Sequence, residues 1–133
     1  MGFFDRLFKV KDDSTLEGII TLQDREEIRE KWREVDQHLE LGKPSNLNSA
    51  VITADKLLDF TLRKIYPNAV DFKQRLILSK IKFSTERSVY EDLWYAHKIR
   101  NELVHKVDFF LPNFEAKNII ENYKKGLQVL GAL

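Results

Sequence analysis

The stretch Asn46 to Tyr66, NLNSAVITADKLLDFTLRKIY, decides the fold. Leu47, Ala50, Val51, Ala54, Leu57, Leu58, Leu62 and Ile65 recur at three- and four-residue spacing, so the apolar surface of this helix is a broad arc rather than a narrow stripe. A helix that lies on a protein surface needs only the stripe. One with so broad an arc is packed on several sides, which makes it the centre of an all-helical bundle. Pro67 ends it, because proline lacks an amide proton and its ring disfavours the helical conformation in the residue before it.

Amphipathic segments of the same period lie on both sides. Toward the N-terminus, Ile28, Trp32, Val35 and Leu39 form the stripe of a helix from about Thr21 to Leu41. Thr21 and Asp24 stand at capping-box spacing at its start, and Gly42 and Pro44 stop it. Toward the C-terminus, a helix from about Asp71 to Lys82 buries Phe72, Leu76 and Ile77 and turns Lys73, Arg75, Lys80 and Lys82 to solvent or a ligand. A fourth helix begins near Ser88, which pairs with Glu91 as a capping box, and runs to Val104 or His105. Pro112 opens a fifth that spaces Ala116, Ile120, Tyr123, Leu127 and Leu130 by four and three. The pattern predicts an all-α, up-and-down bundle of four to five helices over residues 21–133. Residues 1–20 stand outside it. MGFFDRLF (1–8) reads as a short amphipathic arm with Phe3, Phe4, Leu7 and Phe8 on one face, expected to pack on its own bundle or a partner subunit rather than to serve as a membrane-surface or partner-docking peptide, and a polar linker follows.

Composition agrees. A chain of 133 residues has the length of one domain, and 5 Gly and 3 Pro are too few for a turn-rich sandwich. The absence of cysteine excludes a disulfide framework, a thiolate zinc site and a cysteine nucleophile. No apolar run approaches the roughly 18 residues of a membrane span, and no signal-peptide core is present, so a cytoplasmic protein without an integral membrane span is expected. The net charge of +1 conceals a split. Leu22 to Glu40 carries four basic and seven acidic residues, whereas Leu62 to Lys106 carries ten basic and five acidic. The second half is therefore the side that attracts phosphates.

That half also holds an anomaly. On a helical wheel Val89, Leu93, Ala96, Leu103 and Val104 form one arc, and Arg100 falls near its centre. An unpaired buried guanidinium is too costly, so Arg100 must pair with a carboxylate such as Glu27 or Asp59, sit at a subunit interface, or face an anion-binding cleft. His97 and Asn101 flank the arc. His105 lies about 140° round from Arg100, so the two converge on one substrate only if the helix end unwinds or two subunits contribute.

The hexapeptide RNELVH (100–105) resembles the R-x4-6-H motif of HEPN domains, including the polar residue that commonly follows the arginine. AVITADKLLDFTLRK (50–64) and LWYAHKIRNELVHK (93–106) are similar to that family's pattern, in which the motif ends the penultimate long helix of a bundle and one amphipathic helix follows. The resemblance implies a metal-independent endoribonuclease of toxin or defence type, with two motifs facing each other across a homodimer cleft, RNA as substrate, and an antitoxin or other partner protein. In that role His105 moves a proton to or from the RNA, Arg100 clamps the scissile phosphate, and Asn101 orients one of them. His97 and Lys106 are secondary candidates for substrate contact. No cofactor and no metal are expected: Glu102 and His105 make one Glu-x-x-His pair, whereas a carboxylate-bridged di-iron bundle needs two. The toxin branch regulated by nucleotidylation carries a tyrosine two residues after the histidine, and Val107 stands there instead. The competing reading is a non-catalytic helical module for dimerisation, partner binding or nucleic-acid binding, with Arg100 paired internally and Asn101 and His105 capping the helix end. His38 is expected to be exposed. Trp32, Trp94 and the nine phenylalanines read as core and interface residues rather than as base-stacking platforms.

Overall fold

The computed structural model describes residues 13–133. The MGFFDRLF arm lies outside the described residues. Five α-helices, α1 (Leu22–Leu41), α2 (Pro44–Ile65), α3 (Phe72–Leu78), α4 (Arg87–His105) and α5 (Asn113–Val129), are joined by short connections, and 3-10 turns span Asp13–Thr15 and Ser79–Phe83. The described residues contain no strand. No helix among them is long and apolar enough to cross a membrane.

The capping box of α1 forms as its sequence requires. The Asp24 amide donates to Thr21 Oγ1 at 3.0 Å, and the Thr21 amide donates to Asp24 Oδ2 at 2.9 Å. That second bond, helped by Lys64 Nζ 3.5 Å away, holds the Asp24 carboxyl below the usual carboxylate range. At the other end Gly42 adopts φ 69°, a left-handed conformation that a β-carbon penalises, and its amide closes on the His38 carbonyl. Gly42 and Lys43 are the whole connection to α2, so α1 and α2 run antiparallel. Pro44 stands in the first turn of α2 rather than beyond the end of α1, where its missing amide costs nothing. His38 is half-buried in this hairpin rather than exposed, its Nδ1 lying 3.1 Å from Asn46 Nδ2.

The broad face of α2 is buried as its pattern demands: Leu47, Ala50, Val51, Ala54, Leu58 and Leu62 are closed to solvent. Each of the larger ones contributes about 1.5–3 kcal/mol by that burial. The helix packs on α1, α3, α4 and α5, and α4 also packs on α5.

Three details depart from the sequence pattern. The third helix stops at Leu78 and tightens into the 3-10 turn, where Ser79 Oγ donates to the Leu76 carbonyl at 2.7 Å and Phe83 is buried. Ile77 is left exposed, and Arg75 turns inward to Asp59 Oδ1 at 3.2 Å. Second, Ser88 and Glu91 do not cap α4. The Glu86 amide bonds back to the Phe83 carbonyl at 2.9 Å, and this anchored turn starts the helix at Arg87. Third, the packed face of α4 is Leu93, Ala96 and Ile99, while Val104 is exposed, so the face centres on Ala96 and Arg100 lies about 40° from that centre, toward Leu93.

Close approach of α4 and α5 depends on Gly126, where an added β-carbon would fall 2.6 Å from Leu93 Cδ1 and 2.8 Å from its Cγ. Leu93 is fully buried, and its branch point Cγ as well as its tip would have to shift. Gly126→Ala should therefore destabilise the fold by about 1 kcal/mol, because an overpacking cost of roughly 1–3 kcal/mol exceeds a helix-propensity gain of about 1 kcal/mol. Urea denaturation followed by circular dichroism checks this; a stabilised variant would show that the α4–α5 spacing is looser than described.

Candidate active site at the end of helix α4

The site is built around Asp55, a carboxylate on the buried face of α2 whose side chain is 5% exposed. Tyr123 of α5 donates its hydroxyl to Asp55 Oδ1 at 2.8 Å, and His97 Nδ1 of α4 lies 2.9 Å from the same oxygen. Arg100 Nε approaches Oδ2 to 3.3 Å. This last contact is a charge pair rather than an aligned hydrogen bond, since the Nε–H itself is buried without an acceptor. Burial first, and then the neighbouring carboxylate, push the Tyr123 hydroxyl well above the usual phenol range and keep it a donor.

The pairings continue into a closed ring. Arg100 Nη1 donates to Asn101 Oδ1 at 3.0 Å, and Asn101 Nδ2 lies 3.3 Å from His97 Nε2. With the His97 proton on Nδ1, each of these contacts has a donor facing an acceptor: Asn101 donates to His97, His97 donates to Asp55, and the arginine closes the ring at both ends. Turning the Asn101 amide round would set its NH2 against the guanidinium. Phe72 of α3 stacks on His97 with ring centroids 4.1 Å apart and 25° between planes, which fixes the imidazole further. Arg100 is thus held in one orientation with a quarter of its side chain exposed.

His105 stands apart from the ring. It is exposed, at the last turn of α4, and has no hydrogen-bonding or ionic partner among the described residues. An open groove of about 570 Å³ runs past it, lined by Trp94, His97, Asn101 and Glu102 together with Lys73, Lys98 and Lys106. Asn101, His105, His97 and Lys106 therefore share one surface, while Arg100 lies behind Asn101 and does not line the groove. A larger groove of about 680 Å³ between α1 and α2 holds none of the motif residues. No group of three or more His, Asp or Glu side chains among the described residues is placed to hold a metal ion.

Several expectations change here. Arg100 pairs with Asp55 and not with Glu27 or Asp59, because Asp59, one turn along α2, is taken by Arg63 and Arg75. Neither Asn101 nor His105 caps the helix; Asn101 belongs to the ring and His105 points to solvent. Trp32 is in the core as expected, and Trp94 packs against the core while also lining the groove. Asp55 and Tyr123 were not among the candidates. The signal for Asp55 was present, since it borders the apolar arc of its helix, with Val51, Leu58 and Leu62 within about 60° on one side, which makes it an acidic counterpart to the anomalous arginine.

The chain matches no protein-family model, no curated protein and no solved structure. The arrangement offers a fixed guanidinium behind Asn101 and an unpaired imidazole in the open groove further along the helix.

Tyr123→Phe removes one of the donors that compensate the buried Asp55 charge, and should cost about 1.5–3 kcal/mol in urea denaturation while helix content is unchanged. A loss within 0.5 kcal/mol, about the size of a neutral surface change, would show that the carboxylate does not depend on this bond.

Proposed function

We propose that this chain is a HEPN-like, metal-independent endoribonuclease of toxin or defence type that cleaves RNA at a cleft between two copies. The observation that carries the reading is the division of labour at the end of α4. The Asp55 ring fixes Arg100 and Asn101, whereas His105 stands unpaired in a groove with three lysines. A phosphate clamp benefits from being rigid, and a proton-transfer group must be free to meet its substrate.

In this scheme His105 accepts the proton of a ribose 2′-OH, the 2′-oxygen attacks the adjacent phosphorus, and the bond to the 5′-oxygen breaks. The products are a 2′,3′-cyclic phosphate and a 5′-hydroxyl end. The leaving oxygen takes its proton from solvent water, which reaches the open groove. Arg100 stabilises the charge that gathers on the phosphoryl oxygens.

A second copy is favoured by the geometry of α4. The helix stays regular through its end, with the Lys106 amide bonded to the Glu102 carbonyl at 2.9 Å, so unwinding does not bring Arg100 and His105 together. Beside the motif, Val104, Val107, Phe110 and Phe114 are all exposed, an apolar surface suited to association.

The non-catalytic reading, a HEPN-like module for dimerisation or for partner or nucleic-acid binding, is favoured by one observation. Arg100 already has its counter-charge in Asp55 and is mostly covered. The two readings separate experimentally. The protein should cleave single-stranded RNA in EDTA and leave DNA of the same sequence intact, since only RNA carries the 2′-OH. His105→Ala should lower the rate about a hundredfold or more with an unchanged unfolding midpoint, because the side chain is exposed and unpaired. Equal trace activity in wild type and variant would overturn the nuclease in favour of the binding module.

A further inference from the structure

Resting on the reading of the groove as an RNA site, we infer that Trp94 is a stacking platform for a base of the single strand, set along α4 from the reacting end. Trp94, Lys98, Asn101 and His105 follow one another at i, i+4, i+7 and i+11, which places them on one face of an uninterrupted helix. The stripe is about 16 Å long, enough for more than one nucleotide. All four side chains line the same groove, and Lys73 of α3 and Lys106 flank it.

The order of residue types matches an extended strand. An aromatic ring offers a face to any base, lysines alternate with it where phosphates would pass, and the imidazole stands at the far end. Lys73 and Lys98 have no carboxylate partner among the described residues, so their charges are free to meet an anion.

Trp94 is also braced. Tyr90 meets it edge to face with centroids 6.3 Å apart, and Tyr90 is itself fixed by its hydroxyl bond to the Leu76 carbonyl at 3.1 Å and by packing on Phe83. A platform held this way loses little freedom on binding. The contrast with Trp32 is informative, since that ring is 95% buried by its 5% exposure and can report nothing from the groove.

The test uses the intrinsic fluorescence of the two tryptophans and a ten-nucleotide 2′-O-methyl RNA, which lacks the nucleophilic hydroxyl and so binds without being cut. With selective excitation of tryptophan, titration should quench the wild-type signal, and Trp94→Phe, which leaves Trp32 as the remaining tryptophan, should show no quenching. Trp94→Leu should weaken binding about tenfold, measured by anisotropy of a labelled oligonucleotide, with an unfolding midpoint close to wild type. Quenching that survives in Trp94→Phe, or equal affinity in a folded Trp94→Leu, would overturn the platform; so would failure of the wild type to bind the oligonucleotide while it binds an acidic peptide. The outcome is independent of catalysis. Trp94-dependent binding by a protein that does not cut RNA would sustain this inference and remove the nuclease. His105-dependent cutting that ignores Trp94 would do the reverse.

Discussion

A carboxylate buried on the central helix is the constraint on which the rest of the molecule turns. Asp55 cannot stay charged in an apolar core without donors around it, and none of its compensating groups lies on its own helix. They come from α4 (His97 and Arg100) and from α5 (Tyr123), so satisfying one charge fixes how both helices are rotated against α2. Apolar contacts between helices tolerate small rotations; a buried polar ring does not, because a broken member leaves an unpaired charge. The same rotation decides what is left outside. With His97 and Arg100 turned toward Asp55, the next positions along the helix, Asn101 and His105, face the groove. The candidate chemistry is thus the outer side of a structural device.

Much of the fold was legible because it follows from periodicity and punctuation. The breadth of the α2 apolar face, the Thr21 and Asp24 box, Gly42 and the prolines each act locally, and the structure contains each of them. What was not legible depends on contacts distant in sequence. The apolar period of α3 runs on toward Lys82, but burial of Phe83 and the Ser79 hydroxyl bond tighten the backbone before it gets there. For α4 the wheel gave the right side of the helix and the wrong centre: it omitted Ile99, which is buried, and included Val104, which is not.

The site divides in the same way. Arg100 announced itself as a charge within an apolar arc, His97 and Asn101 followed from helical spacing, and His105 came from the resemblance of RNELVH to the R-x4-6-H motif. The identity of its partner did not follow, because position suggests Glu27 or Asp59 and packing brings a different carboxylate, Asp55, to the arginine. Asp55 and Asp59 are one turn apart on α2, yet one meets the α4 ring and the other meets Arg63 and Arg75. Tyr123 was legible as a core residue but its hydroxyl, which gives it a second role, was not. The groove beside His105 is a product of how α3 and α4 are set together, and no reading of either segment alone contains it.

Mixing two inactive variants would show whether Arg100 of one copy and His105 of another act on one phosphate. Arg100→Lys keeps a positive charge near Asp55 but loses the planar fork, and His105→Ala removes an exposed side chain, so both variants should fold. Each alone should be inactive on RNA. After unfolding and refolding in equal mixture, about half of the dimers are mixed and each mixed dimer regains one intact pair, so roughly a quarter of wild-type activity should return. No recovery from a mixture shown to contain mixed dimers would contradict the account.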